Sequence, residues 1–420
     1  MPYRILVMGD SMSLAHVARA MVMARRLARE GAEIVFATGA AHAELARREG
    51  FDPCEMHCVP PARAYEAIRK GSHIFDMPTL VRYVKSDLAL FQRVRPDLIV
   101  GDMRLSLNIS AELAGLEYWN VLSGYMTNHY AAPRRAPRTL PLTRLLGRHV
   151  SAIVFPSLMR VILRQFSASF RRLRRAWGLA PVRDIFDVMA SPYRNLIADL
   201  PGYAPCADLP DHFDYVGPLL WEPNAPDPAW LDQVAPDRPT VYVTMGSTGD
   251  PNALRRILTS LRDNGWQVLT TTGTHGAAPD GVFATDLARG STLLQRSHVT
   301  VCHGGSGTVY QSVAHGVPVV GLPTFHDQET NMERVEALGW GEGLDPNRWR
   351  PADLHAALAR VRSAECRTAV ARGQEAIAAS VARFEQTSWL SPRRAGVYPV
   401  AAESEAPMRC GGIPQMCGHS

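Results

Sequence analysis

The residues best placed to do chemistry in this 420-residue chain stand between positions 299 and 331, in the run VTVCHGGSGTVYQSVAHGVPVVGLPTFHDQETN. One imidazole, His303, is followed by Gly304, Gly305, Ser306, Gly307 and Thr308. Glycine lets a backbone approach a ligand closely and take up positive φ. A helix that starts beside such a turn points unpaired N–H groups and a partial positive charge into it, which is a site for an anion. The implied ligand is a phosphate held by His303 and helix amides. Asp327 and Gln328 follow in a polar loop, where they can read hydroxyl groups.

The elements that position these residues are legible in the same run. Val299 and Val301 alternate with Thr300 and Cys302, the pattern of a short buried strand. A helix is predicted from Thr308 and closed by Gly316, and Val317–Leu322 form the next buried strand. A strand–helix–strand unit of this kind places its loops at the carboxyl ends of parallel strands, where ligands bind. The first half of the chain has the same rhythm: YRILVMG, AEIVFATG and LIVGD read as strands, separated by stretches with apolar residues at helical spacing. The proline-rich run 216–238 has no period and reads as a linker, after which the rhythm restarts at TVYVTMGS. The expected organisation is an N-terminal α/β domain over 1–215 with an arginine-rich helical insert, and a linker over 216–238. A second α/β domain follows over 239–375, then a helix over 376–390 and a disordered tail over 391–420.

The order His, Gly-Gly, Gly-Thr, Gly-x-Pro and Asp-Gln across 303–328 resembles the donor-sugar signature of the family-one glycosyltransferases with the GT-B fold. The resemblance implies two Rossmann-like domains facing a central cleft, the first binding the acceptor and the second a nucleotide sugar. It implies an inverting transfer of a hexose from a UDP- or dTDP-sugar to the hydroxyl of a hydrophobic small-molecule or lipid-like acceptor, as in natural-product biosynthesis. The donor contacts it implies are Gly246, Ser247, Thr248, His303, Gly305, Ser306, Gly307, Thr308, Gln311, Asp327 and Gln328. Gln311 stands where plant and macrolide members carry a ribose-binding glutamate. Base recognition is expected from FATDLARGSTLLQRS, where Leu287 and Leu293 stand in place of the plant tryptophan and leave uridine and thymidine equally open. An alcohol needs a base to become a nucleophile, and His suits neutral pH. The family's base lies just after the first strand, which is His16 here, although Ala15 replaces the usual glycine before it. Asp102, at the end of LIVGD, matches its acidic partner; Asp10, six residues before His16, is a second acid on the same sheet edge. The sequence has no Asp-x-Asp triplet, so metal-independent transfer with no cofactor is expected, the diphosphate being neutralised by His303 and helix amides. Two other classes share the motifs: a nucleotide-sugar epimerase of the same fold, and a non-catalytic nucleotide-sugar-binding protein.

Charge is unevenly placed. Of a net +5, the stretch from Tyr118 to Arg183 contributes twelve arginines and no acid, so the rest of the chain is net acidic. Within it Arg160, Arg164, Arg171, Arg172, Arg174 and Arg175 are interleaved with Phe155, Leu158, Phe166 and Phe170. Residues 134–175 are therefore read either as a peripheral membrane contact or an anionic-acceptor face, or as a core helix with a basic solvent side. No aromatic-interleaved basic motif for nucleic acid accompanies the charge. There is no apolar run of 18 residues and no signal-peptide core after Met1, so a cytoplasmic enzyme, in reach of a membrane surface, is expected. The seven cysteines are odd in number and scattered, as reduced thiols are. Cys54, His57 and Cys58 lack a second pair with zinc spacing.

Overall fold

Ile5 to Met8 are wholly excluded from water, so the strand that contains them must be covered on both faces, as strands of parallel α/β sheets are. The computed structural model describes residues 3–136, 155, 158–246, 250–273, 276–346 and 348–391. The first sheet contains β1 (Arg4–Gly9), β2 (Glu33–Thr38), β3 (Cys54–Glu55), β4 (Leu98–Asp102), β5 (Tyr118–Leu122), β6 (Arg194–Ile197) and β7 (Phe213–Tyr215). Its order is β3-β2-β1-β4-β5-β6-β7, and every pairing is parallel. The second contains β8 (Thr240–Thr244), β9 (Gln267–Thr271), β10 (Phe283–Thr285), β11 (Val299–Cys302), β12 (Val319–Gly321) and β13 (Gly341–Gly343). Its order is β10-β9-β8-β11-β12-β13, again all parallel. In each sheet the strand order reverses between the first strand and its later neighbour, and a crevice opens there at the carboxyl ends. Register puts Gly9 opposite Asp102 at one such point and Thr244 opposite Cys302 at the other.

The first sheet packs Leu6, Met8 and Ile99 against Leu90, Phe91 and Tyr118. In the second, Val241, Val243 and Val301 pack on Leu254, Ile257, Leu354 and Leu358. Each such side chain stabilises the fold by about 1.5–3 kcal/mol on burial. Helix Leu14–Ala28 lies so close over β1 that a Cβ on Gly9 would stand 2.9 Å from the Cα of Val17. Both sheets belong to one compact unit that ends at Thr387, and the residues from Ser388 form another.

The helix expected from 376 is the second half of one continuous helix, Ala364–Gln386. Its start packs Val370 and Ile377 with Val309 and Val313 of the second half of the chain. Its end meets the first half, where Arg26 donates from Nε to Phe384 O (3.3 Å) and from Nη2 to Thr387 O (2.5 Å). Among the described residues no helix is long and apolar enough to cross a membrane. The tail expected over 391–420 lies, beyond Ser391, outside the described residues.

Candidate active site

Helix Leu14–Ala28 starts on Ser13, whose hydroxyl accepts the amide of Ala15 (3.3 Å), so His16 sits in the first turn at the carboxyl edge of β1. Asp102 ends the neighbouring β4, and the chain turns away through Met103 at φ 54°. His16 Nδ1 and Asp102 Oδ1 are 2.9 Å apart. A carboxylate oxygen only accepts, so Nδ1 carries the proton and Nε2 keeps its lone pair. Asp102 has no exposed side-chain surface, whereas His16 retains 16%. A second partner explains how that buried charge survives. Arg19, one turn beyond His16, grips Asp102 with Nε to Oδ2 and Nη2 to Oδ1, both 2.7 Å, and donates Nη1 to Ser123 Oγ (3.1 Å). Asp10 is turned elsewhere: its Oδ1 accepts Met12 N (3.1 Å) and its Oδ2 accepts Arg104 Nη1 (3.3 Å), and Arg104 also donates to Asp87 (2.6 Å). Arg19 gives no sign of its role in the sequence beyond its i+3 spacing from His16.

Across the cleft, β8 and β11 deliver the second group. The His303 ring is 8% exposed and lies between two glycines. A Cβ on Gly246 would stand 2.6 Å from its Cε1, and one on Gly305 the same distance from its Nε2. Gly246 has φ 57° and Gly304 φ 84°, which side chains rarely tolerate. The helix that follows runs Ser306–Ala314, two residues earlier than predicted, with Gly305 as an N-cap that supplies no side-chain acceptor. Its first intrahelical bond is Val309 N to Gly305 O, so the amides of Ser306, Gly307 and Thr308 face forward. A Cβ on Gly307 would meet nothing within 4 Å, so open space stands in front of that helix end. Ser247 and Thr248 lie outside the described residues.

The two halves meet at Asp327, in the first turn of helix His326–Ala337. Burial among protein groups raises its carboxyl above the ordinary value, while the amides of Gln328 and Asp327 and the charge of His16 pull it down. The side chain remains open to water, so it lines the cleft rather than a core. Tyr125, in the loop after β5, faces the same place. Burial raises its phenol, Asp327 adds to the rise, and Arg19 and a hydrogen bond with Ser123 oppose it. Tyr65 of the first half stacks on Phe325 at 6.2 Å between centroids.

The chain is 34% identical over 389 residues to "PGL/p-HBAD biosynthesis glycosyltransferase" of Mycobacterium tuberculosis, covering 91% of this chain and 90% of that protein. The chain belongs to the family-one GT-B glycosyltransferases. It is also 33% identical over 391 residues to "PGL/p-HBAD biosynthesis rhamnosyltransferase" of Mycobacterium bovis, covering 91% and 86%. Residues 269–383 match the family described as "Erythromycin biosynthesis protein CIII-like, C-terminal domain". Among solved structures, the glycosyltransferase of kitacinnamycin aligns with a TM-score of 0.66 at 20% identity, over 90% of this chain and 96% of that one, a likeness of fold.

Within this glycosyltransferase several expected donor contacts have other partners. Gln328 is buried, and its Oε1 accepts Thr324 N (2.9 Å), Thr324 Oγ1 (3.1 Å) and Phe325 N (3.3 Å), so its carbonyl closes the turn before the helix. Gln311 donates Nε2 to Trp221 O (2.6 Å), which ties the run 216–238 to the donor helix and leaves its Oε1 beside Gly290. Leu293 is core, and Leu287 is exposed. The arginine-rich stretch is partly internal. Arg174 is buried, with Nε on Ala180 O (2.6 Å) and Nη2 on Glu112 (2.7 Å), and Phe170 and Leu173 are core; residues 137–154, 156 and 157 lie outside the described set. Cys54, Cys58, Cys206, Cys302 and Cys366 are free thiols, and among the described residues no three His, Cys, Asp or Glu converge as metal ligands.

Proposed function

We propose that this glycosyltransferase moves a hexose from a UDP- or dTDP-sugar onto a hydroxyl of a hydrophobic small-molecule or lipid-like acceptor, with inversion and without a metal ion. The observation that carries the reading is the pair of His16 and Asp102 at 2.9 Å at the carboxyl edge of the first sheet, with Asp327 of the second half near enough for the charge of His16 to lower its carboxyl. With Nδ1–H held by Asp102, the Nε2 lone pair takes the acceptor's proton as its oxygen bonds to the anomeric carbon. The bond from that carbon to the diphosphate oxygen breaks, and the nucleoside diphosphate leaves with the electron pair. His303 and the forward-facing amides of Ser306, Gly307 and Thr308 meet its charge, which is the work a metal ion does elsewhere. Asp327 is the sugar-hydroxyl contact. One relative's name, rhamnosyltransferase, supports a six-carbon sugar, and the PGL/p-HBAD biosynthesis in both names supports a natural-product acceptor.

The test separates base from donor site. His16→Ala should lower acceptor-dependent release of nucleoside diphosphate by about 10²–10⁴-fold and leave donor binding by calorimetry intact. His303→Ala should weaken donor binding itself. Parent turnover in His16→Ala would remove the base from the proposal.

A further inference from the structure

A cavity of about 420 Å³ opens in the first half of the molecule, next to the reaction centre. Two contacts fix its place. Arg134 on its wall donates Nη1 to Tyr125 O (2.8 Å) and Nη2 to Thr127 O (2.7 Å), in the loop whose Tyr125 faces Asp327. Phe155, also on the wall, meets the ring of His326 edge-on at 6.2 Å, one residue before Asp327. The cavity thus runs from the arginine-rich insert towards the residues that flank His16.

Its lining mixes apolar and charged side chains. Phe155, Met159, Leu163 and Phe186 supply the apolar wall. Of the charged groups on it, three have work already. Arg134 serves the two carbonyls and lies over the rings of Tyr130 and Phe186 at 5.0 and 4.6 Å. Arg183 is held by Asp187 through two bonds of 2.9 Å. Asp184 caps the helix Ile185–Met189 through the amides of Phe186 (2.8 Å) and Asp187 (3.2 Å). Arg160 and Arg164 remain. They stand four residues apart in helical residues 158–166, so their like charges share one face and repel. Among the described residues no carboxylate pairs with either, and the sequence holds no acid from Tyr118 to Arg183 that might. A pocket lined by apolar side chains and by two cations that no carboxylate among the described residues pairs with is complementary to an anion on an apolar body.

We propose that this cavity seats the acceptor and selects one that carries an anionic group: the apolar body packs along Phe155 and Leu163, the anion meets Arg160 and Arg164, and the hydroxyl reaches His16. The proposal names the acceptor class for the transfer described above and rests on that reading of the cleft.

The test compares 12-hydroxydodecanoate with its methyl ester by calorimetry on the full chain. The parent should bind the acid about tenfold more tightly, as one charge-assisted contact to an exposed side chain would give. Arg160→Gln with Arg164→Gln should bring the acid to the ester's affinity with donor binding unchanged, and Arg160→Lys with Arg164→Lys should keep the preference. Equal affinity for acid and ester in the parent, binding of neither, or a preference that survives the double glutamine change would each overturn the proposal. So would a glutamine variant that loses only its sedimentation with phosphatidylglycerol vesicles, which would make the arginines a lipid surface. If the preference follows the arginines while His16→Ala still turns over, the seat stands and the base assignment falls.

Discussion

Asp102 is a full charge with no exposed surface, and such a group persists only where donors meet both oxygens. Arg19 and His16 are those donors, and they divide the labour. The guanidinium fork neutralises the carboxylate and fixes its plane, and the fixed plane in turn fixes the imidazole, with Nε2 on the ring edge away from Asp102. Ser123 holds the outer end of the same guanidinium, so His16 is oriented from its own helix, from the end of β4 and from the residue after β5 rather than by one carboxylate. Asp102→Asn keeps the shape but presents a neutral amide to a nearly buried cation and forfeits the tautomer that frees Nε2. Its turnover is expected to fall by about 10²–10⁴-fold in steady-state transfer assays, with the donor dissociation constant unmoved. Parent turnover would show that Asp102 only secures Arg19.

At the scale of elements, the proposed donor cradle is a matter of what glycine omits. The ring of His303 occupies the volume that side chains at Gly246 and Gly305 would need, and Gly246 adds a positive φ. Gly246→Ala should therefore push the ring forward into the diphosphate space and strain the turn by about 1–2 kcal/mol. The expected result is a loss of donor affinity measurable by calorimetry, with a modest fall in melting temperature; unchanged affinity would mean that the ring has another place to go. This unit was legible in the sequence because a period of two gives way to a helical period across three glycines. The meeting of His16 with Asp102 was legible too, since parallel strands at a reversal of order end on one edge. Other features were hidden for physical reasons. Arg19 looks like any helix arginine. Gln328 has the same side chain whether it closes a turn or reads a sugar. β6 and β7 are short and lie among prolines, with no alternation to mark them. Gly373 looks like a helix break, yet it lies inside Ala364–Gln386 because a Cβ there would stand 2.6 Å from Trp340 Nε1.

The whole molecule works only if the two halves keep the cleft in register, and one buried contact ties the second half directly to the first. Tyr310, on helix Ser306–Ala314, donates its hydroxyl to Asp199 Oδ1 (3.1 Å) and accepts the amide of Leu200 (3.0 Å), just after β6. Asp199 Oδ2 in turn accepts the amide of Gly124 (2.8 Å), one residue before Tyr125. Burial raises the Asp199 carboxyl above its usual value, and the Gly124 amide, Arg19 and the Tyr310 hydroxyl oppose the rise. For an acid whose folded value lies above its unfolded one, the stability it contributes is complete below the unfolded value near 3.8 and is lost as pH rises through the folded value. Removing the Tyr310 hydroxyl raises the folded value further, so more is lost over the same climb. Tyr310→Phe should therefore cost about 1–3 kcal/mol at neutral pH, the range for a buried polar group left short of a partner. The gap between variant and parent in urea unfolding should narrow as pH falls and Asp199 takes up its proton in both. A gap of constant size from pH 4 to 7.5 would show that Asp199 does not carry its charge across this contact, and would leave the Leu200 amide as the partner that matters.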